Sequence, residues 1–164
     1  MTETVFEGTA AVRAAVGTHL GYSGWMTVTE AQVQAYAEAT SDRDRVDVEV
    51  DLDRDIHGAD GERAAAKSPT SAAVAQPYLT LALTNLFLPQ VVEVRGTSLG
   101  VNRGTGTIRF PAPVPVGSRL RAGVELVAVH DVAGGIDTTM VITVERDGGD
   151  EPVCVVESLS RYLD

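Results

Sequence analysis

The segment that most constrains the fold is a short apolar stretch between two prolines. Residues 77 to 89 read PYLTLALTNLFLP, and nearly every side chain between the prolines is apolar. Proline fits the first position of a helix, because the N–H that it lacks would have no helical acceptor there. A helix that is apolar almost all round is buried on most of its sides. The stretch is far shorter than the roughly 20 residues that span a bilayer, so the sequence predicts a buried helix at the centre of the fold.

The chain after Pro89 is rich in β-branched residues and is divided by turn signals. The predicted strands are Val91–Val94, Ser98–Phe110, Arg119–Val129, Ile136–Val144 and Val153–Ser160. Short connections between consecutive strands favour antiparallel pairing. One apolar helix and a long antiparallel sheet predict an α+β fold in which the sheet wraps around the helix.

The first half of the chain carries two further patterns. Thr29 followed by Gln32 is a capping box, which predicts a helix from Glu30 to about Thr40. Residues 45–53, RVDVEVDLD, alternate between apolar and acidic side chains and predict a strand with one buried face. Residues 54–70 are predicted as a loop with one helical turn. Residues 1–20 are interpreted as an N-terminal segment with a helical pattern, and residues 21–164 as a single domain.

Charge and cysteine content exclude several classes of protein. The 164 residues include 13 Lys and Arg against 23 Asp and Glu, a net charge of -10. Binding to nucleic acid or to an anionic membrane needs a basic face, so neither partner is expected. The single cysteine, Cys154, excludes an intramolecular disulfide framework and is compatible with a reducing compartment. Because the N-terminus also lacks the pattern of a secretory signal, we expect a cytoplasmic protein.

Several segments together resemble one family, the MaoC-like (R)-specific enoyl-CoA hydratases and dehydratases. The segments are Gly24-Trp25, Val28-Thr29, residues 36–42 (YAEATSD), residues 62–64 (ERA), residues 74–81 (VAQPYLTL), residues 96–102 (GTSLGVN) and residues 108–117 (IRFPAPVPVG). The resemblance runs from about residue 20 to the C-terminus. It implies a hot-dog fold, in which a helix is wrapped by an antiparallel sheet, and a homodimer formed by joining two sheets.

The resemblance also implies a reaction. In that family water is added reversibly across the double bond of a trans-2-enoyl thioester, without a metal or redox cofactor. An Asp and a His five residues later hold and deprotonate the water. A glycine N–H in an Ala-His-Gly motif stabilises the thioester oxygen as it becomes enolate-like. The expected substrate is therefore a small acyl thioester, carried by CoA or by a carrier protein.

This sequence departs from the family pattern at the acid–base positions. Asp42 matches the family aspartate, but Asp47 stands where the histidine is expected. An ungapped alignment makes Asp47 the replacement, either as a carboxylate that shares a proton with Asp42 or as part of a solvated strand face. A second alignment places an insertion earlier and makes His57 the missing base, unless His57 belongs to an exposed loop. The catalytic candidates are Asp42, Asp47 and His57.

The second departure lies at the start of the central helix. The motif Ala-His-Gly is replaced by Ala75-Gln76-Pro77, and proline has no N–H to donate. The N–H groups of Tyr78 and Leu79 are expected to remain free. Gln76 either orients a substrate carbonyl or caps the helix, and Tyr78 either lines a tunnel or packs. The substrate-binding candidates are Gln76, Pro77 and Tyr78, and no metal site is expected.

Three functions are compatible with these residues. The first is a MaoC-like lyase that hydrates enoyl thioesters or dehydrates 3-hydroxyacyl thioesters. The second is a repurposed hot-dog isomerase, dehydratase or cyclase that acts on a polyketide-like intermediate in natural-product biosynthesis. The third is a non-catalytic subunit that pairs with an intact hydratase.

Overall fold

The structure is a computed structural model, which describes residues 3–41 and 73–164. The predicted strand at residues 45–53 and the predicted loop at 54–70 lie outside the described residues. Asp42, Asp47 and His57 lie outside them as well.

The elements of the first part of the chain are β1 (Thr4–Glu7), α1 (Gly8–Ala14), β2 (Thr18–Tyr22), β3 (Met26–Thr27) and α2 (Glu30–Thr40). Those of the second part are β4 (Val74–Ala75), α3 (Pro77–Ala82), α4 (Thr84–Phe87), β5 (Val92–Arg95), β6 (Leu99–Arg109), β7 (Val114–Pro115), β8 (Arg119–Val132), β9 (Gly135–Arg146) and β10 (Cys154–Leu163). A turn of 3-10 helix, Leu88–Gln90, follows α4.

Among the described residues, the main sheet has six strands, and all of its pairs are antiparallel. Its order is β2-β8-β9-β10-β6, and β3 also pairs with β8. Two small sheets flank it: β1 pairs with β5 in parallel, and β4 pairs with β7 antiparallel. The hot-dog, α+β architecture that the sequence predicted is confirmed.

The core lies between one face of this sheet and the helices. Alternate residues of β8 are buried, from Leu120 to Leu126, as the period of two along a strand requires. In the register, Ile142 of β9 lies between Val124 of β8 and Val156 of β10, and all three are buried. Phe87 of α4 belongs to the same buried cluster. The helices and the sheet therefore share one apolar core.

Most local predictions agree with the structure. The predicted helix from Glu30 to about Thr40 is α2, and the capping box at its start is present. The five strands predicted after Pro89 are β5, β6, β8, β9 and β10, with ends shifted by three residues or fewer.

The central helix differs from the prediction in two ways. It breaks at Leu83, between α3 and α4, where the hydroxyl of Thr84 donates a hydrogen bond to the carbonyl oxygen of Leu81 at 2.7 Å. Threonine hydroxyls that bond to backbone carbonyls in this way disturb helices. The expectation that the helix is buried on most sides is wrong for the single chain, because Tyr78 is 63% exposed and Leu86 is 50% exposed. Among the described residues, the sheet covers one side of the helix and leaves Tyr78 and Leu86, on the open side, exposed.

The N-terminal residues form more than the predicted helix. They form β1, α1 and β2, and they contribute Phe6, Val12 and Leu20 to the core. The boundary that the sequence placed after residue 20 falls inside β2.

Candidate functional site at the start of the central helix

Helix α2 carries the chain to the residue before Asp42. The N–H of Gln32 donates to Oγ1 of Thr29 at 3.3 Å, and the N–H of Thr29 donates to Oε1 of Gln32 at 2.9 Å. Val33 anchors the helix in the core. Ser41 ends the helix in a left-handed conformation, with φ of 57°. The capping contacts and the core contact therefore fix the position from which Asp42 follows.

The start of α3 is held in place by β4 and β7. Ala75 of β4 pairs with Val114 of β7, and the N–H of Val116 donates to the carbonyl oxygen of Ala73 at 2.7 Å. Val114 and Val116 belong to the segment IRFPAPVPVG. This segment therefore forms the strand that positions the residue immediately before Gln76.

Gln76 lies at this helix start with a satisfied backbone carbonyl and an unsatisfied side chain. Its carbonyl oxygen accepts from the N–H of Leu79 at 3.0 Å and from that of Thr80 at 3.4 Å. Its side chain makes no capping hydrogen bond, so the capping alternative for this residue is wrong. The residue is 6% exposed, and neither Oε1 nor Nε2 has a hydrogen-bond partner among the described residues.

Pro77 and Tyr78 complete the predicted substrate-binding group. Pro77 is the first residue of α3 and offers no N–H. The expectation that the Leu79 N–H stays free is wrong, because it donates to Gln76. In residues 3–41 and 73–164, the N–H of Tyr78 has no acceptor. The Tyr78 ring packs edge-on against Phe110, with centroids 5.9 Å apart, and the rest of the side chain is exposed.

Buried hydroxyl groups lie on the elements around α3, and the sequence analysis did not single them out. Thr80 of α3, Thr138 of β9, and Ser158 and Ser160 of β10 are all buried. Ser158 and Ser160 continue the core-facing alternation that begins at Cys154, so strand periodicity could have identified them. The core is therefore partly polar on β9, on β10 and on α3.

The structure gives Cys154 and the described histidines no catalytic arrangement. Burial raises the pKa of the Cys154 thiol to about 11, so the thiol stays protonated and behaves as a small apolar side chain. His19 and His130 are exposed, and His19 packs against Tyr22 with ring centroids 4.7 Å apart.

Within residues 3–41 and 73–164, no group of three or more His, Cys, Asp and Glu side chains is arranged to hold a metal ion. In the same part of the chain, no helix has the length and apolarity that crossing a membrane would require.

Comparisons with known proteins identify relatives of the whole chain. The chain is 41% identical over 159 residues to the 3-hydroxyacyl-thioester dehydratase Z of Mycobacterium tuberculosis, covering 96% of this chain and 97% of the relative. It is 31% identical over 145 residues to nodulation protein N of Rhizobium leguminosarum, covering 87% and 83%. No family model matches the chain.

Solved structures share its fold. An unliganded (R)-hydratase from Pseudomonas aeruginosa superposes with a TM-score of 0.63 at 19% identity, covering 91% of this chain and 82% of that one. An (R)-hydratase of A. caviae involved in PHA biosynthesis gives a TM-score of 0.61 at 20% identity, covering 88% and 94%. At these identities the likeness concerns the fold alone, whereas the curated dehydratase establishes kinship. The chain belongs to the MaoC-like family of 3-hydroxyacyl-thioester dehydratases and (R)-hydratases, and it is a lyase-type enzyme with the hot-dog fold.

Proposed function

We propose that the protein catalyses the reversible dehydration of a 3-hydroxyacyl thioester, carried by CoA or by a carrier protein, to the trans-2-enoyl thioester and water. The observation that carries this proposal is the 41% identity to a 3-hydroxyacyl-thioester dehydratase over nearly the full length of both chains. The reworked residues at positions 76 and 77, and also position 47 in the ungapped alignment, mean that the protein performs this reaction with a different set of groups.

The reaction needs one proton acceptor and one proton donor. A base removes a proton from C2, and the electron pair of the C–H bond moves towards the carbonyl oxygen to give an enolate-like species. When the enolate collapses, the C3–O bond breaks, and the departing hydroxide takes a proton to leave as water. The carbon skeleton is neither oxidised nor reduced overall, so the step needs no external oxidant or reductant.

We assign the proton transfers to Asp42 together with either Asp47 or His57. In the sequence, Asp42 directly follows Ser41, the residue that ends the capped and anchored helix α2. Two carboxylates that share a proton would supply an acid at neutral pH. A histidine would supply a base in the same range. The two assignments differ in which second residue is essential.

We assign substrate binding to the start of α3, at Gln76, Pro77 and Tyr78. The exposed Tyr78 ring and its edge contact with Phe110 offer an apolar surface to an acyl chain. The unpaired amide of Gln76 offers polar atoms beside it.

The experiment is hydration of short and medium trans-2-enoyl-CoA by the purified protein, followed by loss of the enoyl absorbance. We expect turnover in the wild type and a loss of about 10²–10⁴-fold in Asp42→Asn, as for removal of a general acid or base. Asp47→Asn and His57→Ala then separate the two assignments, because only one of them should cause a comparable loss. Asp150→Asn is the matched control, since Asp150 is exposed in the turn between β9 and β10. Wild-type protein without turnover on either chain length would contradict the proposal.

A failure of this kind would favour one of the other two functions. The missing N–H at Pro77 is the observation that supports these two functions, because removing one oxyanion-hole donor typically lowers the rate by about 10²–10³-fold. A repurposed isomerase or cyclase would bind an apolar polyketide-like ligand instead. A non-catalytic subunit would co-purify with an intact hydratase.

We also propose that the protein forms a homodimer through β6 and the open side of the central helix. β6 is an edge strand of the main sheet. Two of its apolar side chains, Leu99 and Val101, are exposed, as is Leu86 of α4. Exposed apolar groups beside a strand edge that pairs with no described strand favour pairing with a second copy.

Light scattering after size exclusion tests the assembly. A dimer has about twice the 17.3 kDa of the chain, and Leu86→Asp should shift the mass towards the monomer. Val16→Asp is the matched control, because Val16 is similarly exposed in the turn between α1 and β2. A wild-type monomer would contradict the homodimer and would favour a subunit that needs a different partner.

A further inference from the structure

The side chain of Gln76 is buried in a way that folding alone does not explain. A buried amide without hydrogen-bond partners costs about 1–3 kcal/mol. Most buried polar side chains in folded proteins have a partner, so an exception calls for a cause. Both polar atoms of Gln76 lack partners in the described part of the chain. A partner that removes this cost comes from outside the described residues, and a bound substrate is one such partner.

A second glutamine on the same chain segment shows the ordinary arrangement. Nε2 of Gln90 donates to the carbonyl oxygen of Leu86 at 2.8 Å, and its Oε1 accepts from the N–H of Gly24 at 3.2 Å. Gln90 therefore ties the end of the central helix to the chain before β3. Within the described part of the chain, the Gln76 side chain makes no corresponding hydrogen bond.

The residues that follow Gln76 leave few hydrogen-bond donors beside it. Pro77 has no N–H, and the N–H of Leu79 is already used by the Gln76 carbonyl oxygen at 3.0 Å, so among residues 77–79 the N–H of Tyr78 is the backbone donor without a described acceptor. Nε2 of Gln76 brings two N–H groups to this position, and they need no change of protonation state to donate. It is a buried side-chain donor on the residue next to Pro77, which lacks a backbone donor.

We propose that Nε2 of Gln76 donates a hydrogen bond to the thioester carbonyl oxygen and stabilises the charge that develops on it when the C2 proton leaves. This inference rests on the proposed dehydratase function. Side-chain amides of Asn and Gln act as oxyanion donors in other enzymes, where loss of one donor lowers kcat by about 10²–10³. The substrate carbonyl satisfies the donor side of an amide that has no partner among residues 3–41 and 73–164. Pro77 and Gln76 both differ from the family motif Ala-His-Gly. Pro77 removes a backbone donor, and Gln76 supplies a side-chain donor.

The test compares Gln76→Met with Gln90→Met, because methionine keeps the length of the side chain and removes the amide. For Gln76→Met we expect kcat for enoyl-CoA hydration to fall by about 10²–10³ with little change in KM, since the donor acts mainly in the transition state. Its melting temperature should stay the same or rise, because an unsatisfied buried amide is removed. Gln90→Met should show the reverse, with a lower melting temperature and nearly unchanged kcat.

A second variant tests the replacement itself. Pro77→Gly restores an N–H at residue 77, so Gln76→Met/Pro77→Gly should recover at least about tenfold of the kcat lost in Gln76→Met. If the folded double variant recovers no kcat, the idea that the Gln76 amide replaces the missing N–H of residue 77 is overturned. Wild-type turnover with a Gln76→Met kcat within threefold of wild type would overturn the inference alone. The inference would also be overturned if Gln76→Met lost activity only together with a lower melting temperature, or if it changed KM and left kcat unchanged. Absence of turnover in the wild type would overturn the proposed function and the inference with it.

Discussion

Ser23 bridges a gap in the main sheet. The loss of its hydroxyl group has an effect on stability that can be calculated directly from the hydrogen bonds it makes. Between β2 and β3 the chain leaves β8, and Ser23 stands in this gap. Its N–H donates to the carbonyl oxygen of Ala122 at 2.8 Å, and its Oγ accepts from the N–H of Ala122 at 2.9 Å. Ser23 and Ala122 are both buried. The serine hydroxyl therefore replaces the carbonyl that a continuous strand would provide.

Ser23→Ala leaves the Ala122 N–H buried without an acceptor. The expected cost is about 1–3 kcal/mol, which is the cost of an unsatisfied buried donor. For a chain of about this size, 1 kcal/mol corresponds to roughly 2–4 °C in melting temperature. A central value of about 2 kcal/mol therefore predicts a decrease of roughly 4–8 °C.

Ser98→Ala is the matched control. Oγ of Ser98 donates to the carbonyl oxygen of Asp164 at 2.9 Å, but the residue is exposed, so water can replace the bond. Its effect should stay within about 0.5 kcal/mol. Both variants are melted at one fixed protein concentration, because oligomerisation makes the melting temperature depend on concentration. Equal melting temperatures for Ser23→Ala and the wild type would refute the reasoning, as would equal losses in both variants.

Three further predictions concern other parts of the molecule. Thr29→Ala removes the capping box of α2 and should lower the free energy of unfolding by about 1 kcal/mol in urea titrations, and no change would show that Gln32 caps the helix without it. Hydrogen bonds from Arg161 at 2.6 Å lower the pKa of Asp137, so this carboxylate stabilises the folded state above about pH 4 and loses that effect as the pH falls through its lowered pKa. The advantage of wild type over Asp137→Asn in urea midpoint should therefore shrink with acidification, whereas a difference that does not depend on pH would contradict it. Cys154, buried and with a pKa of about 11, should react with iodoacetamide at pH 8 only as fast as the protein unfolds, and rapid alkylation of the folded protein would disprove that.

The elements that the sequence predicted correctly are those set by local rules. The Thr29–Gln32 capping box and the period of two along β8, β9 and β10 depend on residues a few positions apart. Both features are present in the folded chain, because the core packs against the same helix and strand faces that the sequence patterns predict to be buried. The predicted strand ends drift by a few residues because pairing with neighbouring strands extends them, as at Val132 and Leu163.

The errors concern properties that depend on tertiary contacts. The pattern between Pro77 and Pro89 predicts burial all round, but burial depends on how far the sheet reaches over the helix. The break at Leu83 goes with the hydrogen bond from the Thr84 hydroxyl to the Leu81 carbonyl oxygen. The amino-acid composition does not reveal that this bond forms.

At the candidate site, the sequence predicted which backbone donor is missing but not what the neighbouring side chain does. The absence of an N–H at Pro77 follows from the residue type. The unsatisfied state of the Gln76 amide follows from the packing of α3, β4 and β7, which brings no described donor or acceptor within reach of it. The use of the Leu79 N–H by the Gln76 carbonyl oxygen likewise appears only in the folded backbone.

The most direct test of the central claim is stereospecific dehydration by the purified wild-type protein. (3R)-3-hydroxybutyryl-CoA and its (3S) enantiomer are supplied separately, and formation of the enoyl thioester is followed by absorbance. We predict conversion of the (3R) substrate to the same equilibrium mixture that hydration of the enoyl thioester reaches, with little or no conversion of the (3S) substrate. Failure to convert either enantiomer, under conditions in which the protein is folded, would contradict the assignment of this chain as a 3-hydroxyacyl-thioester dehydratase.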